Sequence, residues 1–219
     1  MSVYAVIDLE MCTIPKGCRK KGSRLAKETI QIGAVLLNEE YEITQQFSTY
    51  VFPEMGYIDS FIENLTGIDH ADVKNAPRMP QAWTKFMEWL PEGAIMVSWS
   101  NTDSAQIRRE AETKDFMDAI PDGMFEQWID AQKLFSGRIE RERIYSLEEA
   151  LIAADILQEG RAHDGLTDAY NTALLFAKLQ KEPEFRLNPI YEYARAEKKD
   201  TLSFGLKSLL AGIQIAEES

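Results

Sequence analysis

The chain has 219 residues, 45% hydrophobic and 27% charged, an ordinary globular composition that fits one domain and excludes disordered and membrane-embedded classes. No stretch approaches the ~20 apolar residues that span a bilayer, and the start MSVYAVIDLEM lacks the basic opening of a secretory signal, so a cytoplasmic protein with no membrane partner is expected. A formal net charge of −12 argues against a nucleic-acid surface spread over the whole molecule, so an anionic ligand has to be met locally.

Val3 to Glu10 is an apolar, β-branched run that predicts a buried strand, and its two-residue spacing puts Asp8 and Glu10 on one face. Cys12 and Cys18 match neither a zinc-binding pair nor a redox CxxC and read as free thiols in a reducing compartment. The segment from Lys16 to Lys27 carries six of the 24 Lys and Arg residues and none of the 36 acids. In isolation such a run is a solvated loop; directly after an acidic pair it can also steer or grip phosphates, with Arg19, Lys20 and Lys21 as candidates. Thr29 to Leu37 and Tyr41 to Phe52 predict two more strands, joined at Asn38-Glu39-Glu40 in an antiparallel meander.

A short helix is expected from Ile58 to Leu65, closed by Thr66-Gly67. Trp83, Phe86, Met87 and Leu90 then form an amphipathic stripe that Pro80 can start, and these aromatics read as core rather than as a base-stacking platform. Ala94 to Trp99 predicts a fourth strand with Trp99 in the core, Asp103 to Glu112 a helix, and Gln127 to Asp130 a short fifth strand leading into a helix from Ala131 to Phe135. Ser146 and Glu149 form a capping box for a helix through Ala154, and a last strong helix follows His163, with Ala169, Ala173, Phe176 and Ala177 on one side. A meander followed by strand-helix alternation predicts an α/β fold, a five-stranded mixed sheet flanked by helices. Residues 1–180 read as the domain, and 181–219 as a helical extension packed on it that includes a helix from Leu202 to Leu210.

Acids are rarely buried unless paired or bound to a cation, so acids at the ends of apolar elements need a reason. Taken singly, Asp8 and Glu10 fit solvated strand ends, Asp103 a helix cap, and His163 an exposed loop. Together with Asp168, which opens the helix after His163, they occupy comparable positions where apolar elements emerge. Converging carboxylates repel one another unless a cation neutralises them, and hard oxygen ligands select Mg2+ or Mn2+. Two such ions about 3.5–4 Å apart suit in-line phosphoryl displacement, with His163 as the base that takes the proton of the attacking water. Asp164 competes for the place given to Asp168.

Ile7-Asp8-Leu9-Glu10, Glu28 to Val35 with Gly33, Leu65-Thr66-Gly67-Ile68 with Ala76-Pro77, Ser98-Trp99 with Asp103, and His163 to Asp168 with Asn171 occur in an order that resembles the DEDDh 3′–5′ exonucleases. The resemblance covers roughly residues 3 to 180, is nearest to the Eri-type branch, and its His-x4-Asp spacing favours Asp168 over Asp164. It implies a ribonuclease-H-like fold and 3′–5′ hydrolysis of single-stranded nucleic acid, RNA before DNA, to nucleoside 5′-monophosphates with two Mg2+ or Mn2+ ions. It further implies Asp8, Glu10 and Asp168 as direct metal ligands, with Asp8 touching both ions, Asp103 as a ligand through water, and His163 as general base. Backbone at Met11 and Cys12 and the Leu65-Thr66 loop would contact the terminal nucleotide. Cys12 departs from the Thr common at that position, Asn101-Thr102 precede Asp103 where bulkier residues are frequent, and Glu28 reads as structural. Two rivals stay open: a non-catalytic binding module on the same fold, and a nuclease that trims DNA or very short oligonucleotides.

Overall fold

The computed structural model describes residues 3–139 and 143–191. Its centre is β1 (Tyr4–Thr13), which pairs antiparallel with β2 (Lys27–Leu37) and parallel with β4 (Ile95–Ser98). β3 (Ile43–Tyr50) pairs antiparallel with β2, and β5 (Ile129–Asp130) parallel with β4, giving the order β3-β2-β1-β4-β5. This is the expected five-stranded mixed sheet. β2 is buried at every residue after Lys27 because both of its faces are covered, whereas edge strand β3 is polar and largely exposed.

Side-chain alternation on β1 divides the core. Ala5, Ile7 and Leu9 face α3 (Met79–Trp89) and α4 (Thr102–Thr113), where they meet Ala82, Trp83, Phe86, Ile107 and Ala111. Val6 faces the other way, against Ala173 and Phe176 of α7 (Gly165–Lys181) and Ala131 of α5 (Ala131–Arg138). Asp8 and Glu10 follow Val6 at two-residue steps and so continue onto the α7 side. A register shift after Glu10 sets Met11 opposite Thr29 while Glu10 opposes Gln31, which leaves Ile30 as an extra residue on β2.

The predicted third strand is shorter at both ends. Tyr41 has φ 57° and leaves the strand to stack on Tyr4 while Asn38 closes the turn through Glu42. At the other end Val51 donates to Ile30 and Phe52 to Pro77, outside the ladder. α1 (Ser60–Thr66) is capped by Asp59, and a single turn not expected from the sequence, α2 (His70–Val73), has a capping box of Asp69 and Asp72. The Ser146-Glu149 box is formed and opens α6 (Leu147–Ala153). Trp99, expected in the core, is partly buried at its margin, where it packs against Phe135 and donates from Nε1 to the Tyr145 carbonyl.

Glu28 is fully buried: it accepts from the backbone of Glu54, Met55 and Gly56 and pairs with Lys114 at 2.8 Å, and Lys114 also pairs with Glu110 at 2.8 Å. The network ties the loop after β3 to the end of α4, the structural role expected of Glu28. Lys114 offsets two buried carboxylates whose isolation would cost about 3–5 kcal/mol. Past α7, Phe185 and Leu187 pack with Tyr145, Leu151 and Leu179, so the start of the extension lies on the same core. The helix expected from Leu202 to Leu210 lies outside the described residues. No helix among the described residues is long and apolar enough to cross a membrane.

Candidate active site

β1 brings Asp8 and Glu10 to the sheet's end, and α4 and α7 bring the other acids by starting there. The seat of α7 is built by two glycines. A Cβ on Gly33 of β2 would lie 2.1 Å from the carbonyl carbon of Gly165, and one on Gly165 would lie 3.2 Å from the carbonyl oxygen of Asp8. Only bare backbone lets the first turn of α7 sit directly on β1 and β2. Gln31 locks it there: its Oε1 accepts from the Gly165 amide at 2.9 Å, and its Nε2 donates to Asp164 at 3.3 Å. Asp164 is the N-cap, accepting from the Thr167 amide. That assignment leaves Asp168, one turn further on, for the cleft.

His163 has φ 62° and its ring is exposed; its backbone amide donates to Asp168 Oδ2 at 2.9 Å. Ligand atoms of Glu10, His163 and Asp168 lie within 4.8 Å of one another. Asp103 is buried in the first turn of α4 rather than at its cap, and its Oδ1 accepts from the Leu9 amide at 3.2 Å. That bond holds α4 to β1 between Asp8 and Glu10.

The convergence has electrostatic consequences. Burial raises Asp8 well above the usual carboxylate range, and the nearby Asp103, Glu10, Asp168 and Asp164 all add to the rise. Burial lifts Glu10 to about 8, with Asp168, Asp164 and Asp103 contributing. Burial raises Asp103 to about 7 although the Leu9 amide opposes it. Asp168 is raised by burial and by Asp164, opposed by His163. Acids held this way carry repulsion that a divalent cation relieves, and an oxygen-rich set with one imidazole is hard-metal chemistry. The residues present therefore fit a divalent metal. All five predicted catalytic residues meet here.

The expected substrate contacts are more varied. The Cys12 thiol is buried with Ile30, Ile62, Ile68 and Val73, and burial pushes it to about 12. It is a packing group, so only its backbone can meet a nucleotide. Met11 is partly buried against the α3 side of the core. Thr66 is buried, its hydroxyl bonded to the Ile62 carbonyl and the Ile68 amide. Leu65 is partly exposed, and its carbonyl accepts from Arg161 at 3.3 Å. Arg19 donates to the Ile14 carbonyl and Lys20 to the Thr113 carbonyl, while Lys21 is exposed.

Two residues that build the site escaped the sequence reading. Arg161 donates to Asn64 at 2.7 Å as well as to Leu65, tying the His163 loop to the end of α1, where Gly67 leaves room for its guanidinium. Gln31 carried one usable signal, a polar side chain inside an apolar strand, which needs a partner if buried.

A family model described as Exonuclease (RNase_T) matches residues 5–176. ERI1 exoribonuclease 2 of Danio rerio is 28% identical over 208 residues, 83% of this chain and 35% of that protein, so the chain spans about a third of that relative's length. The nuclease domain of 3′hExo, a DEDDh family member solved with rAMP, superposes with a TM-score of 0.66 at 24% identity, covering 85% of this chain and 96% of that one. Cell-death related nuclease 4 (CRN-4) superposes with a TM-score of 0.68 at 20% identity, covering 85% of this chain and 66% of that one. The convergence of the acids and the family match agree: the chain belongs to the exonuclease family and has the ribonuclease-H-like fold.

Proposed function

We propose that the chain removes nucleotides one at a time from the 3′ end of single-stranded nucleic acid, preferentially RNA, releasing nucleoside 5′-monophosphates. The carrying observation is that Asp8, Glu10, Asp103 and Asp168 converge with His163 at one place, the acids held above their usual range by burial and, for Asp8, Glu10 and Asp168, by neighbouring carboxylates. Two Mg2+ or Mn2+ ions would supply charge neutralisation and stabilise the attacking and leaving oxygens. Asp8, Glu10 and Asp168 would hold them directly. Asp103 spends Oδ1 on the Leu9 amide, which suits an outer role through its second oxygen.

His163 takes the proton of the attacking water at a ring nitrogen. Its backbone is fixed by Asp168, so loop geometry rather than ring packing sets its approach. The preference for RNA rests on relatives named as exoribonucleases and on the sequence resemblance. Two free cysteines, one buried and one exposed, support the proposed cytoplasmic setting.

The test is incubation of 5′-labelled RNA and DNA of one sequence with Mn2+ or with chelator. A ladder shortening from the 3′ end, faster on RNA and stopped by chelator, is expected. Shortening from the 5′ end, or unchanged hydrolysis in chelator, contradicts the reading, and faster cleavage of DNA returns the substrate to the trimming alternative.

Gly33→Ala tests how the site is assembled. The new methyl would collide with backbone at Gly165, so the first turn of α7 must lift, carrying His163 and Asp168 with it. Overpacking of this kind costs about 1–3 kcal/mol. A shift of order 1 Å in catalytic groups costs about 100-fold in rate. A lower thermal midpoint and a far lower kcat are expected; wild-type values for both would show that the glycine contact does not position the site.

A further inference from the structure

Beside the acidic cleft, the exposed face of α4 borders two hollows of about 310 and 390 Å3. The first begins at Asn101, two residues before Asp103, and the second ends at the basic loop after β1. They share Arg24, Arg109 and Glu112, so they form one continuous track along a 12-residue helix about 18 Å long. Arg24, Arg108, Arg109, Lys20 and Lys21 line the track, and Glu112 is its single lining acid, in a protein of net charge −12.

The track is built rather than loose. Lys20 bonds the Thr113 carbonyl at 2.8 Å, Ser23 bonds the Thr113 hydroxyl at 3.1 Å, and the Leu25 amide donates to Ser23. The loop is therefore docked on the end of α4. Arg108 lies over the Phe125 ring at 4.2 Å and Trp128 stacks on the same ring, so the aromatic pair backs a flat guanidinium at the end nearest the acids. Its ion pair with Glu126 is 3.6 Å long and exposed, hence weak and easily exchanged for phosphate.

We propose that this track is a second, non-catalytic binding site, which takes the phosphodiester backbone of the strand upstream of the 3′ end, with a base resting on the outer face of the Arg108 guanidinium. The proposal rests on the exonuclease reading, since that reading supplies the strand. Cations spaced along a groove with a stacking surface are the chemistry of sequence-independent single-strand binding. Such a site explains how an acidic protein can hold a polyanion.

The test uses Asp8→Asn as a non-hydrolysing background and measures the anisotropy of a 5′-fluorescein 20-nucleotide RNA across salt concentrations. Removing three cations, by Arg24→Gln, Arg108→Gln and Arg109→Gln together, should lower the slope of log affinity against log salt by about 2 and weaken binding at least tenfold at low salt. A matched control neutralises three exposed cations elsewhere, Lys85→Gln, Lys133→Gln and Arg186→Gln, and should leave the slope in place. An unchanged slope in the first variant, or equal slope losses in both, overturns the proposal; the first result would leave the groove to an acidic protein surface. Absence of RNA binding in the background also overturns it, while hydrolysis by the wild-type chain judges the exonuclease reading separately.

Discussion

Asp8→Asn is expected to abolish hydrolysis, by at least about 10^3-fold, while raising the thermal midpoint of the metal-free protein. Both effects have one origin. Asp8 lies against Asp103, Glu10, Asp168 and Asp164, and every one of them makes its charge less favourable. In a protein without metal that charge is a liability, and the amide removes it with nearly the same shape. A gain of about 1 kcal/mol would appear as roughly 2–4 °C in a chain of this size. In the working enzyme the same charge would bind the ions that stabilise the transition state, and losing about 4 kcal/mol of that stabilisation gives the 10^3-fold drop. Lower activity with a lower midpoint would mean that Asp8 supports the fold. Full activity would remove it from the site.

The second large effect is in pH. Metal-free protein is expected to lose thermal stability as pH rises from about 5 to 8, and Mn2+ to restore more at pH 8 than at pH 6. The sign follows from the folded values. Glu10 at about 8 and Asp103 at about 7 lie above their unfolded values near 4, so between those limits the native state binds more protons than the unfolded state. Their contribution is complete below about pH 4 and is lost as pH climbs through 7 and 8. Glu28 acts oppositely: its value is lowered by Lys114 and the loop amides against its burial, so its contribution is lost only in acid. Metal needs the deprotonated carboxylates, so its stabilisation grows as they ionise. At 100 times its dissociation constant it adds about 2.7 kcal/mol. Thermal scans in chelator and in Mn2+ at pH 5, 6, 7 and 8 check this; a flat profile in chelator would mean that the acids are not mutually stressed.

Much of the site was legible because it depends on short-range spacing. Asp8 and Glu10 share a face through the two-residue period of one strand, and Asp168 stands five residues after His163 on a helix with a clear apolar stripe. The five-stranded mixed sheet followed from a meander and later alternation, although Tyr41 escaped because its left-handed turn serves an aromatic contact with Tyr4. Residues whose partners are remote were not legible. Gln31 reaches Gly165 across 134 positions, and Arg161 reaches Asn64 across 97. Asp103 looked like a helix cap because cap and cleft both want an acid at a helix start; only its bond to Leu9 separates them. The basic loop was visible as charge, but its continuation into Arg108 and Arg109 required α4 to be laid beside it.

The most direct measurement of a single metal-dependent site is Mn2+ titration of wild-type and Asp8→Asn protein by electron paramagnetic resonance in the presence of adenosine 5′-monophosphate. Two ions per wild-type chain, with both lost or strongly weakened by Asp8→Asn, are expected. Equal binding by the two proteins, or no binding by the wild type, would contradict the convergence of Asp8, Glu10, Asp103 and Asp168 on a shared metal site.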